Sequence, residues 1–170
     1  MPVLHARSLQ LTVKLGISRP KRELASCKFI IHAAPEKVAS NTSQIHLHGH
    51  DFAILQVSKT PYQAGDITKT CPGNENFTCI NPARRDVVML PPGNGGYVVI
   101  AFKADNPGSW LMHCHIAYHA SGGLALQILE RLPDAKKNFP PNGPARRNAQ
   151  KVCDKWTPWW EGNVQDDSGI

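Results

Sequence analysis

Six of the eight histidines in this 170-residue chain crowd into two short stretches. The first is QIHLHGHDFAILQV, residues 44–57, where His46, His48 and His50 alternate with single residues. The second is GSWLMHCHIAYHASGGLAL, residues 108–126, where His113 and His115 flank Cys114 and His119 follows four residues after His115. A lone His-x-His pair is most often a polar strand face. Two such clusters with a cysteine between imidazoles point instead to metal, because a ligand needs partners. In a strand, successive side chains point to opposite faces. His113 and His115 therefore face one way and Cys114 the other, so one short strand can serve two metal sites. The covalent path from the Cys114 sulfur through the backbone to the flanking imidazoles would join them as an electron route. A thiolate with imidazoles is the ligand set of blue copper, and imidazole clusters suit copper generally. His46 and His48 share a strand parity and can reach one cluster, while Gly49 removes a side chain where the chain comes close. Zinc is the weaker reading, because Cys-x-x-Cys and Cys₂His₂ spacings are absent. Cys114 as a small buried hydrophobe is the bland alternative, and the joint clusters weigh against it. His5 and His32 stand alone and are read as incidental.

The elements that must position these residues read as short strands. FAILQVS (52–58), DVVML (86–90), YVVIAFKA (97–104), SWLMHCH (109–115) and LALQILE (124–130) are β-type runs separated by turn chemistry such as PPGNGG and NPG. That pattern predicts an all-β sandwich or barrel. Residues 1–43 lack sustained periodicity. Residues 133–170 are rich in Pro, Asn and charge, and Trp156, Trp159 and Trp160 are expected to dock this tail onto the domain.

Length and a hydrophobic content of 41% suit one domain with a real core. The net charge of +6 belongs to the head: residues 1–43 hold seven Lys/Arg against two Asp/Glu, and residues 44–170 hold twelve against eleven. No basic stripe with interleaved aromatics follows, so nucleic acid is not expected as a partner. No apolar run reaches membrane-spanning length, and no membrane partner is expected. A secretory signal with a hydrophobic centre is not visible, because Lys14 interrupts the longest apolar stretch of the head. Of five cysteines, Cys71 and Cys79 bracket a polar loop, CPGNENFTC, in which a local disulfide is plausible in an oxidising compartment. Asn41 and Asn76 begin glycosylation sequons. Both features lean weakly towards a secreted glycoprotein.

HLHGHDF (46–52) together with HCHIAYHASGGL (113–124) resembles the C-terminal cupredoxin domain of a multicopper oxidase, specifically a fungal laccase. The resemblance covers about residues 44–170. It includes NPARRDVVMLPPGNGGYVVIAFKADNPGSW and the end DSGI (167–170), which is similar to the C-terminal plug of ascomycete laccases. It implies a Greek-key cupredoxin-like (plastocyanin-like) sandwich, incomplete on its N-terminal side. The implied layout is a non-matching basic head over 1–43, domain three of the oxidase over 44–132, and a C-terminal tail over 133–170. It implies copper as cofactor. His46 would bind a type 2 copper, His48, His113 and His115 a type 3 pair, and Cys114 and His119 a type 1 copper. Leu124 falls at the type 1 axial position, where it cannot coordinate, and loss of an axial ligand raises the potential. His50 matches a non-ligand position and is read as support for a ligand. Cys153 resembles the cysteine that bridges to the first domain. The implied activity is one-electron oxidation of phenol-like donors coupled to reduction of dioxygen to water, outside the cell.

Two departures qualify that expectation. The family pattern opens His-Pro-x-His-Leu-His-Gly-His, and here Ser43 stands in place of the first histidine, the second imidazole of the type 1 site. A hydroxyl is a poor ligand there, so a weak or spectroscopically altered site is expected. The first domain's His-x-His pairs, which supply half of the three-copper cluster, are absent, so the isolated chain is expected not to turn over without the missing cupredoxin domains. A truncated or aberrantly spliced product would account for the head, the missing signal and Ser43 together. The rival reading is a copper-binding module without catalysis. A copper nitrite reductase fragment is disfavoured by histidines on both sides of Cys114.

Overall fold

The computed structural model describes residues 26–32, 43–62, 77–91, 96–121 and 123–162, with the backbone alone for 26–32. Eight strands and three helices follow one another among these residues: β1 (Ser26–His32), β2 (Ser43–Leu47), β3 (Phe52–Ser58), β4 (Arg84–Arg85), β5 (Val87–Leu90), β6 (Tyr97–Lys103), β7 (Gly108–Cys114), α1 (Ala117–Ser121), β8 (Ala125–Glu130), α2 (Leu132–Asn138) and α3 (Pro144–Gly162). The strands form two antiparallel four-stranded sheets, ordered β1-β6-β3-β4 and β5-β2-β7-β8. This is the cupredoxin-like, mostly β architecture that the strand pattern and the resemblance imply.

β6 shows why the sheets close on one another. Its run YVVIAF is buried along nearly its whole length, as expected of a strand covered on both faces. Val98, Ile100 and Phe102 turn into the core between the sheets, beside Ile45, Leu47, Phe52, Val88, Leu90, Met112 and Cys114. Tyr97 and Val99 turn outward, against Ala53, Leu55 and Phe77. Each large apolar side chain so buried contributes about 1.5–3 kcal/mol. Along β3 the register with β6 slips between Ile54 and Gln56, a bulge that bends this strand over the core.

Two regions differ from the sequence reading. β1 lies inside the basic head and pairs with β6 from Ser26↔Lys103 to His32↔Tyr97. The head thus contributes a strand that covers one edge of β6, because KFII supplies β-formers in a run too short to show periodicity. The tail carries two helices rather than irregular chain. Pro144 opens α3 at a position where its missing N–H costs nothing, and Ala, Arg, Gln and Lys favour the helix that follows. Trp156, Trp159 and Trp160 do not dock α3 on the sandwich: none of the helix's residues is buried. The three rings gather on one another, Trp156 at 4.8 Å from Trp159 and 5.7 Å from Trp160 between centroids, as helical spacings of three and four dictate. His5, Asn41, Cys71, Asn76 and the DSGI end lie outside the described residues, as does the side chain of His32. No helix of the described residues is long and apolar enough to cross a membrane.

Candidate metal centre

β2 and β7 are antiparallel neighbours with Ile45 opposite Cys114 and His46 opposite His113. Opposed residues share a face, so this register sorts the chemistry. Ile45 and Cys114 turn into the core, and His46 and His113 turn away from it.

On the core side Cys114 is fully buried. Ser43, two residues before Ile45, is buried on the same face. The short helix α1 carries His119 back over this point. Its Nδ1 lies 3.4 Å from Cys114 Sγ and 3.5 Å from Ser43 Oγ. Leu124 braces both partners through its backbone: its N–H donates to His119 O at 2.9 Å, and its O accepts from Cys114 N–H at 3.0 Å. Its side chain packs on the sandwich core. A thiol, an imidazole and a hydroxyl therefore converge beside an aliphatic wall. The strong donors here number two, because the third position holds an alcohol.

On the opposite side four imidazoles meet at the surface. His46 stands 4.7 Å from His48, 5.7 Å from His113 and 5.9 Å from His115 between ring centroids. His113 and His115 stack at 5.6 Å. His48 Nε2 and His113 Nε2 are 3.1 Å apart, a span that one ion can bridge. Second nitrogens are held by carbonyls: His46 Nδ1 donates to Asp86 O at 2.8 Å and His113 Nδ1 to Cys114 O at 2.9 Å. A carbonyl on Nδ1 fixes the tautomer and leaves Nε2 as the donor, the usual arrangement behind a metal-binding histidine. Partial desolvation, then the neighbouring His46, His113 and His115, hold the His48 pKa below the ordinary imidazole value, which keeps it neutral and available as a ligand.

Both faces have the chemistry copper takes, soft thiolate and imidazole. Neither is complete. Among the described residues no group of three His, Cys, Asp or Glu side chains is close enough to hold an ion by itself.

The three alternating histidines of 46–50 part company. Gly49 adopts φ +75°, which breaks strand parity and sends His50 inward, where its Nε2 meets Glu130 Oε2 at 2.6 Å. Sequence reasoning passed over Glu130 and the Asp86 carbonyl. An acid ending the apolar run LALQILE was the available signal for the first; a backbone carbonyl leaves none. Cys153 is exposed and unpaired.

Comparisons with known proteins point to one family. The family model for multicopper oxidase matches residues 28–134. A laccase of Arthroderma benhamiae is 49% identical over 135 residues, covering 74% of this chain and 20% of the relative. A laccase of Neurospora crassa is 41% identical over 152 residues, covering 84% of this chain and 23% of the relative. The crystal structure of a laccase from Botrytis aclada superposes with a TM-score of 0.63 at 37% identity, covering 85% of this chain and 25% of that one. The chain thus spans about a fifth of the length of the curated relatives it matches. With its two antiparallel sheets and its paired histidine motifs, this chain belongs to the multicopper oxidase family.

Proposed function

We propose that this chain is the third-domain half of a laccase-type oxidase, which oxidises phenol-like donors one electron at a time and reduces dioxygen to water outside the cell. The observation that carries this reading is the two-sided display at the end of β7, with Cys114 in the core and His113 and, just past the strand, His115 on the opposite side. Bound copper supplies the one-electron redox chemistry and the reduction of dioxygen. Cys114 and His119 would hold the type 1 copper, beside the aliphatic side chain of Leu124. His46 serves the type 2 position, and His48, His113 and His115 serve the type 3 pair.

The chain's own part is to hold donors and to conduct. Cys114 is covalently joined to His113 and His115, and the bond from His113 Nδ1 to Cys114 O adds a second short link between the two faces. Burial of Cys114 excludes water from the thiolate. The exposed imidazole face is the surface on which the remaining cupredoxin domains would bring the other half of the ligands. In that reading the Cys71–Cys79 loop is disulfide-linked and the sequons are glycosylated on export.

Oxygen uptake with an oxidisable phenol tests the proposal. The chain alone is expected to give none. The same residues replacing the corresponding segment of the Arthroderma benhamiae laccase, in a Ser43→His background, are expected to give copper-dependent uptake. A correctly folded chimera that binds no copper on the imidazole face would overturn the reading.

A further inference from the structure

His50 is the histidine that the copper chemistry leaves unused, yet its side chain is 5% exposed and that of its partner Glu130 is 3% exposed. A buried carboxylate is costly unless both oxygens are satisfied, and here both are. Oε2 accepts from His50 Nε2 at 2.6 Å, and Oε1 accepts from the Asn106 backbone N–H at 2.7 Å. Asn106 then closes a ring: its Nδ2 donates to Gly49 O at 2.9 Å. Its own carbonyl accepts from Trp110 Nε1–H at 2.7 Å. The Trp110 ring lies across Gly49 so closely that a Cβ there would stand 2.5 Å from it. Phe102 backs the His50 ring at 4.6 Å between centroids.

The loop from Gly49 through His50, Glu130 and Asn106 back to Gly49 therefore ties together three separate places: the turn after β2, the start of β7 and the end of β8. Glu130 and Gly108 are register partners in β8 and β7, so the ring is anchored on the same sheet that carries His113. His48 sits next to Gly49 with its side chain exposed, and its backbone N–H donates to Leu111 O at 2.9 Å. An exposed imidazole on a turn has rotamer and backbone freedom to lose before it can serve a fixed site, and metal sites tolerate little looseness in their supports.

We propose that His50 and Glu130, through Asn106 and Gly49, are positioning residues that lock the turn and hold His48 Nε2 beside His113 Nε2. The relevance to copper rests on the function proposed above; the locking itself does not. The test uses the full chain, metal-free, and follows amide hydrogen exchange by magnetic resonance in Glu130→Gln and in the milder Asn106→Ala, which removes only the Gly49 bond of a partly exposed side chain. The expected result is at least about tenfold faster exchange at the His48 amide, with the Cys114 amide, bonded to Leu124 O, within about twofold of its original rate. Equal acceleration at both amides would mean a general loss of stability and would overturn the proposal, as would no change at His48. If Glu130→Gln does not fold, Asn106→Ala decides alone.

Copper titration of the same proteins supplies the second readout. Affinity on the imidazole face is expected to fall about ten- to hundredfold, with any thiolate-to-copper band from Cys114 retained. An original chain that binds no copper, whose variants still loosen His48 selectively, would sink the copper reading and leave the clamp standing.

Discussion

The two faces of the β2–β7 pair use the same backbone to make opposite environments. Cys114 and Ser43 are buried on the core side, and the half-buried His119 of α1 closes over them. His46, His48, His113 and His115 meet at the surface, held from behind by carbonyls and by each other. The buried face brings a thiol, an imidazole and a hydroxyl together by folding alone. The open face has its donors oriented, with His48 and His115 exposed among the described residues. A core site can be altered by a single residue within the chain, whereas a surface site depends on what is brought against it.

Variants that separate the faces sharpen this contrast. The largest expected effect is from Cys114→Ser, which should remove any thiolate-to-copper absorption entirely while copper binding on the imidazole face persists. Loss at both faces would break the separation. Ile100→Ala should act on both at once, because it opens a cavity in the shared core; a cost of about 2–5 kcal/mol is expected in urea unfolding. Ser43→His should strengthen the thiolate band severalfold by restoring a second imidazole, at a packing cost of up to about 1–3 kcal/mol if the pocket does not relax. Visible absorption of the copper-loaded chain reads the gain, and an unchanged spectrum would show that Ser43 does not stand at a ligand position.

The smallest effect concerns pH. The His48 pKa lies below its ordinary value of 6.5, so the unfolded chain binds more protons than the folded one between those two values. The resulting stability is present above 6.5 and is lost as pH falls through it towards the folded pKa. His48→Gln should reduce the difference between urea midpoints measured at about pH 8 and about pH 5. The change should be slight, because an exposed ring is well screened.

The strands were legible because their signals are local. FAILQVS forms β3 without a residue's difference, and the other runs shift by a single residue at one or both ends. β1 was missed because an edge strand of seven residues in a basic setting has little pattern to read. Helix α3 was missed because proline and tryptophan at its end outweighed the helix formers before them. The three tryptophans suggest an anchor in sequence, where such rings need a surface but its identity does not show; in the fold they gather on one another.

For the site, residue types and period-two alternation were enough to place Cys114 on one side of a strand and His113 and His115 on the other. Covalent geometry alone imposes that sorting. Ser43, where the resemblance places a histidine, is likewise legible, since spacing to the next histidines is a one-dimensional fact. Only the tertiary structure decided that His119 Nδ1 faces both Cys114 and Ser43, because that depends on how α1 folds back against β7. It alone turned His50 away from its two neighbours, through a single positive φ at Gly49 and a carboxylate eighty positions along the chain. Alternation predicts direction only while the strand lasts, and past its last residue side chains go where long-range partners and packing hold them.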